Sequence, residues 1–191
     1  VEEDEGQYDS SIEVFWASGA SLFIRADLYK KLGGLDEDFF AHMEEIDLCW
    51  RLKNAGYKVM VNHESTVYHV GGGTLSKINP RKTFLNFRNN LFIITKNIER
   101  GKLYPMLFVR MVLDGIAAVK FLLAGSGGHA WAVFRAHMSF YSYFRKMKQK
   151  RMAYKHEALA PSQTHYKKSI VWDYYVRQHK KFSSIPFKHF K

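Results

Sequence analysis

The 191-residue chain has a single cysteine, Cys49, which excludes an internal disulfide framework and fits a reducing compartment. It has no basic opening segment followed by an apolar stretch. Its first residues, VEEDEGQYDSS, are acidic and do not begin with Met, so they read as the start of a piece of a longer protein rather than as a signal peptide. No internal repeat and no recognisable nucleic-acid-binding module is present. An uncharged membrane span is missing too. The most apolar stretch, PMLFVRMVLDGIAAVKFLLAG (105–125), is interrupted by Arg110, Asp114 and Lys120, whereas a spanning helix needs about 20 mostly uncharged residues. At 100° per residue these three charges share roughly a third of the helical wheel, so an amphipathic helix with a very wide apolar face is expected, interfacial or packed against neighbours. Finally, acidic residues are scarce in the second part of the chain. Residues 81–191 hold 22 Lys+Arg against 4 Asp+Glu, while residues 1–80 hold 7 against 14. A segment so basic calls for a polyanion: phosphate, nucleic acid or anionic lipid.

An apolar fraction of 47% and an aromatic fraction of 16% exclude a disordered polar chain, and the length suffices for a domain with a real core. Three segments are expected: a polar lead-in (1–13), an α/β segment (14–80) and a basic, amphipathic helical region (81–191). VFWASGASLFIR (14–25) reads as a strand or strand pair bent at the small residues Ala17–Ser21. Asp27 is placed to cap a short helix, LYKKL, that stops at Gly33-Gly34. LDEDFFAHM reads as a loop. From Glu45, apolar residues Ile46, Cys49 or Trp50, and Leu52 recur near helical spacing, with Gly56 just past the end. YKVMVN (57–62) and STVYHV (65–70) read as extended, the latter ended by Gly71-Gly72-Gly73. Beyond residue 80, Phe84, Phe87, Leu91, Ile94 and Ile98 form one helical stripe. Trp131, Phe134, Met138 and Tyr141 form another, on a helix ending in the basic run 145–151.

Glu44, Glu45 and Asp47 stand together at the start of the 45–55 helix. Carboxylates there complement the helix dipole, or one of them acts as a general base on a hydroxyl. The surroundings choose. ASGASLFIR, GGLDEDFF, EEIDLCWR, GYKV and VYHV, in this order, resemble the C-terminal half of the catalytic domain of glycosyltransferase family 2. The matching pieces are the Ser18-Gly19-Ala20 turn before Arg25, the "GGFD" loop at Gly33–Asp36 through Phe39, the "ED-x-DL-x-x-R" helix start at Glu44–Arg51, the "GY-x-V" strand at Gly56–Val59 and the "V-x-H" strand ending at His69. The resemblance implies an α/β fold class: the C-terminal half of a GT-A, Rossmann-like domain, followed by a mainly α-helical extension.

It further implies inverting transfer of a sugar from a nucleotide-diphosphate sugar to the hydroxyl of a saccharide or lipid-linked acceptor, as in cell-surface polysaccharide or glycolipid synthesis. The second acid of the family's pair serves as base, which puts that role on Glu45, with Glu44 beside it, although this chain has Glu where the family more often has Asp. Asp47 is structural or acceptor-orienting, with Arg51 as its i+4 partner. Gly19, Ala20, Asp36 and Arg51 are expected to shape the donor and substrate pocket. His69 is expected to contact a divalent ion, Mn²⁺ rather than Mg²⁺ on ligand preference, or to be an ordinary exposed histidine. Asp36-Glu37-Asp38 is literally D-x-D, but it follows Gly33-Gly34 in a loop rather than ending an apolar strand, so it is not taken as the metal motif. The metal carboxylates and nucleotide-binding half are therefore expected elsewhere, and this piece alone is expected to be inactive. For the basic helices the readings are surface charge on packed helices, contact with an anionic membrane surface at the cytoplasmic face, or, as a third option that is not expected, nucleic acid. The hydrophobic surfaces of the isolated piece are expected to be covered by self-association or rearranged packing. The alternative to an enzyme is a non-catalytic membrane-associated or scaffolding module of the same outline.

Overall fold

A computed structural model of the chain describes residues 3, 5–69, 79–153, 166 and 168–185. Helices dominate: α1 (Ala26–Lys31), α2 (Glu44–Asn54), α3 (Pro80–Asn97), α4 (Leu103–Leu123), α5 (Gly127–Ala153) and a short α6 (Ile170–Tyr175). The sheet among the described residues is one antiparallel pair, β1 (Glu13–Val14) with β2 (Val59–Met60), registered Glu13 to Met60 and Val14 to Val59. The expected strand or strand pair over 14–25 is thus confined to its first residue. A strand is a pairing rather than a local state, and here only 13–14 and 59–60 find a ladder partner. Residues 65–69 belong to no ladder either, and Gly71-Gly72-Gly73 lies outside the described residues.

The helix boundaries follow local chemistry. Arg25, not the expected Asp27, takes the N-cap position of α1. Asp27 lies in the first turn and pairs with Arg25 at 2.6 Å on an exposed surface. Helix α2 ends as expected, with Gly56 at φ 85°, a backbone state that glycine adopts without a Cβ penalty. Pro80 sits in the first turn of α3, where no N–H is needed, and the Asn79 side chain accepts from the Arg81 N–H.

Helix α2 lies between two cores. Leu48 and Leu52 pack with Leu28 and Leu32 of α1. Ile46 and Trp50 face the larger cluster, in which Phe39 packs with Leu91, Phe92, Phe140 and Met147 of α3 and α5. Phe39 is fully buried and meets Phe92 edge-on at 5.8 Å. The change of composition at residue 80 is therefore no boundary in packing: a loop residue from the acidic part fills the core of the basic part.

The helices beyond 80 differ in which face they bury. On α3 the expected stripe is largely inside, with Leu91, Ile94 and Ile98 buried and Phe84 and Phe87 half-buried, and Arg88, Asn89, Thr95, Lys96 and Asn97 are buried as well. On α5 the expected stripe of Trp131, Phe134, Met138 and Tyr141 is exposed, while Val133, Ala136, Phe140 and Met147 are buried. On α4 the polarity is reversed. Asp114 is buried against α5, where Arg110 approaches at 2.7 Å and His137 Nε2 at 3.0 Å. Phe108, Val112, Ile116, Val119 and Leu123 stand exposed. No helix among the described residues is long and apolar enough to cross a membrane.

Because Phe39 joins the two parts, Phe39→Ala is expected to cost about 3–5 kcal/mol, the range for removing a buried phenyl group. Urea unfolding followed by circular dichroism should show one cooperative transition shifted by that amount. Two separated transitions, or a shift below about 1 kcal/mol, would contradict the shared core.

Candidate functional site

The site is built on the loop 36–43 that leads into α2. Asp36 caps a short 3-10 turn, Glu37–Phe39, by accepting from the Asp38 N–H at 3.1 Å. The chain then passes through left-handed backbone at Phe40 (φ 65°), His42 (φ 69°) and Met43 (φ 76°). For residues with a Cβ each such conformation costs on the order of 1–3 kcal/mol, and the surroundings must hold it. Two neighbouring residues of α3 do so. Asn89 Nδ2 donates to the carbonyls of Phe39, Ala41 and His42 at 3.0, 2.9 and 2.8 Å. Arg88 Nη2 donates to those of Asp38 and Phe39, both at 3.0 Å. Arg88 Nε also donates to Asn89 Oδ1, which fixes the orientation of the amide.

Beneath the loop lies a buried ionic cluster. Lys96, 1% exposed, places Nζ 2.6 Å from Asp36 and 2.8 Å from Asp47. Asp47, completely buried, also accepts from Arg51 Nε at 2.9 Å and Asn97 Nδ2 at 2.7 Å. Arg51 gives its remaining donors to the carbonyls of Leu32 and Gly34. From α5, Lys150 bridges Asp36 and Asp38, and Lys146 pairs with Asp38 at 2.6 Å. Burial alone would push the Asp36 carboxyl up. The hydrogen bonds from Lys150 and Lys96 outweigh it and hold the group at about 2.

The sequence-predicted residues therefore separate. Asp47 and Arg51 are side by side but buried, so both position α2. Asp36 is bound by Lys96 and Lys150, which gives the D-E-D triplet a structural task. Glu44 and Glu45 come together at the half-buried start of α2. Gly19 and Ala20 lie in the exposed 3-10 turn Gly19–Ser21, and Gly19 faces Glu45 so closely that a Cβ there would lie 3.8 Å from the Glu45 side chain. Burial pushes the Glu45 carboxyl above its ordinary range, and the Glu44 charge adds to the rise. His42 Nε2 and Glu44 Oε2 are buried with no hydrogen-bond partner among the described residues, an arrangement that leaves polar atoms for a ligand. His69 stands apart, exposed, and among the described residues no three His, Cys, Asp or Glu gather as a metal set.

Sequence reading missed Arg88, Asn89, Lys96 and Asn97, which build the loop, and His42, which lines it. A signal existed for the first group. Asn89 and Lys96 are seven residues apart, in line with Leu85 and Phe92 on one helical face. For His42 there was none.

Lys96→Met is expected to destabilise the chain by up to about 3–5 kcal/mol, because it removes the cation that Asp36 and Asp47 share inside a buried cluster and leaves Asp47 to Arg51 and Asp36 to Lys150. A loss below about 1 kcal/mol in urea titration would contradict the cluster. Acid should act on the same cluster. The folded-state pKa of Asp36 is depressed to about 2, so its stabilisation is complete above about pH 4 and is lost as the pH falls toward about 2. Asp36→Asn should flatten the stability profile in that window, and an unchanged profile would oppose the assignment.

No family model matches the chain, and no solved structure matches it. Among curated proteins it is similar to the N-acetylglucosaminyl-diphospho-decaprenol L-rhamnosyltransferase of Mycobacterium tuberculosis, in strain CDC 1551 / Oshkosh and in strain ATCC 25618 / H37Rv. Each is 37% identical over 62 residues, which is 32% of this chain and 20% of the relative. The match thus spans about a fifth of the length of these relatives, and over that stretch the chain is similar to a glycosyltransferase.

Proposed function

We propose that the chain is the acceptor-side part of an inverting, family 2 glycosyltransferase of GT-A fold, with Glu45 as the general base. The observation that carries this reading is the Glu45 carboxyl itself. It is half-buried at the start of α2, faces the Gly19 turn, and burial raises it above the ordinary carboxylate range, which makes it a stronger base than an exposed carboxylate. The acceptor hydroxyl gives its proton to Glu45 as its oxygen forms a bond to the anomeric carbon. The bond from that carbon to the nucleoside diphosphate breaks on the opposite face, and its electron pair leaves with the diphosphate. Configuration inverts. His42 Nε2 and Glu44 Oε2, which lack partners among the described residues, orient the acceptor, while Asn89 and Arg88 hold the loop in place.

The acceptor in this reading is lipid-linked, by analogy with the diphospho-decaprenol in the relatives' name. The exposed apolar face of α4 supports work at a membrane surface, peripheral to its inner face. The described residues do not fit a divalent ion on their own, since His69 has no companion ligands among them, so no step here runs through a metal. The same apolar face supports a second reading, a non-catalytic membrane-associated module that keeps the glycosyltransferase outline.

A transfer assay on the complete enzyme separates them. Glu45→Gln is expected to lower kcat by about 10²–10⁴-fold, the usual contribution of a positioned base, with KM for the acceptor little changed. The acid limb of the wild-type pH profile should lie above the ordinary glutamate range, because activity requires the deprotonated form of a group whose pKa is raised. A Gln variant at full rate would remove Glu45 as the base. Absence of transfer by the wild type with any nucleotide sugar would favour the non-catalytic module.

A further inference from the structure

Helices α3 and α5 start side by side. Gly128 lies in the first turn of α5, and a Cβ there would meet the Pro80 ring at 3.5 Å. Beside this contact opens a cleft of about 550 Å³ lined by Pro80, Arg81, Phe84, Trp131 and Arg135 among others. Its guanidinium groups lie on rings: Arg81 is 5.0 Å over Phe40, and Arg135 is 5.7 Å over Phe84. No carboxylate among the described residues pairs with either. This sets them apart from Lys146 and Lys150, whose charge is spent on Asp36 and Asp38. Two planar cations held in place without an acid match the oxygens of a phosphate or diphosphate, and the positive ends of two helices favour the same charge.

An apolar path leads away from the arginines. Trp131 stacks on Phe134 at 5.1 Å with the planes 19° apart, and both rings are exposed, at 59% and 50%. Phe134 also lines a groove of about 280 Å³ between α4 and α5, together with Met111, Gly115, Met138 and Tyr141. Nothing lies within 4 Å of the place a Gly115 side chain would take, so the groove is open there.

We propose that cleft and groove together bind one phosphorylated amphiphile. Its phosphate or diphosphate sits between Arg81 and Arg135, and its hydrocarbon runs over Trp131 and Phe134 into the groove between α4 and α5. Phe40, under Arg81, belongs to the left-handed loop that leads to Glu45, so the charged head lies toward the candidate site. The biological meaning of this site, as the seat of the acceptor, rests on the transfer reading above. The binding itself does not.

Calorimetric titration of the chain with pyrophosphate, farnesyl diphosphate and farnesol tests it. Farnesyl diphosphate is expected to bind at least about tenfold tighter than either of the others, each of which lacks one half of the contacts. Replacing both arginines (Arg81→Gln with Arg135→Gln) should weaken it by roughly tenfold or more, as loss of charge-assisted hydrogen bonds does. Trp131→Ala should weaken farnesyl diphosphate and leave pyrophosphate unchanged. All three residues are exposed, and melting curves followed by circular dichroism check that the variants fold. No binding of farnesyl diphosphate, or binding indifferent to the arginine pair, overturns the proposal. Pyrophosphate binding as tightly as farnesyl diphosphate would make this a site for free phosphate and overturn the amphiphile. Binding as expected alongside a fully active Glu45→Gln enzyme would remove the base assignment and leave this site standing.

Discussion

The structure depends on one constraint: the backbone from 38 to 43 passes through left-handed conformations at Phe40, His42 and Met43 and leaves most of its carbonyls to donors from outside the loop. Those of Asp38, Phe39, Ala41 and His42 all point to α3, where Arg88 and Asn89 supply the donors. Leaving such groups buried and unpaired costs about 1–3 kcal/mol each, so loop and helix are obliged to stay together. Phe39 then enters the core of the bundle, α2 starts at a set angle, and Glu44 and Glu45 are held half-buried while Asp47 is carried fully inward. Glu45, the proposed base, directly follows this strained loop, and its position cannot be better defined than the backbone that leads to it.

Much of the helical architecture was legible in the sequence. Helix α2 was marked by its apolar spacing and by Gly56, and the helical stretches after residue 80 by their periodicity. How far each helix is buried was not. The reading of amphipathic stripes assumes water on the polar side. On α3 the polar side meets backbone carbonyls and carboxylates, so Asn89, Lys96 and Asn97 are inside together with Leu91, Ile94 and Ile98 of the expected stripe, whereas on α5 the expected stripe is outside. The short strands were over-read for a related reason. A β-rich composition states a preference, but a ladder needs a partner at the right register, and that partner is remote in sequence. At the site, the pairing of Glu44 with Glu45 could be read from their pattern, whereas the partners of Asp36 and Arg51 could not. Their chemistry follows from what faces them, and Lys96, Lys150 and the Gly34 carbonyl are separated from them by 17 to 114 residues.

The charge asymmetry of the chain has the same origin. An acidic first part and a basic second part suggest an external polyanion, yet Lys96, Lys146 and Lys150 meet Asp36, Asp38 and Asp47 inside the molecule. Buried ion pairs of this kind contribute little net stability, because desolvation offsets the attraction. Removing one partner is nonetheless severe, so the cluster acts as a lock on the placement of α2, α3 and α5. Subtracting these internal pairs changes what the remaining cations mean. Arg81 and Arg135 stand over aromatic rings beside a cleft, and their charge is the part of the asymmetry that the described acids leave uncancelled at that place.

The reversed polarity of α4 completes the argument. Arg110, Asp114 and His137 place a charged contact between α4 and α5, and this contact turns the apolar side of α4 outward. Close packing by apolar residues would have filled the interface. Instead Gly115 and Ala118 face Ala130 and Val133 across it, small side chains that leave a groove between the helices rather than a seam. This arrangement produces an outer apolar face and an open groove, and the stacked Trp131 and Phe134 connect that groove with the separate cleft of Arg81 and Arg135. A purely water-facing helix pair has no use for the first two features, and a purely structural one has no use for the third. Together they suit the ligand proposed for them, with a hydrocarbon body and an anionic head, and Phe40 under Arg81 places that head on the side of the loop preceding the proposed base.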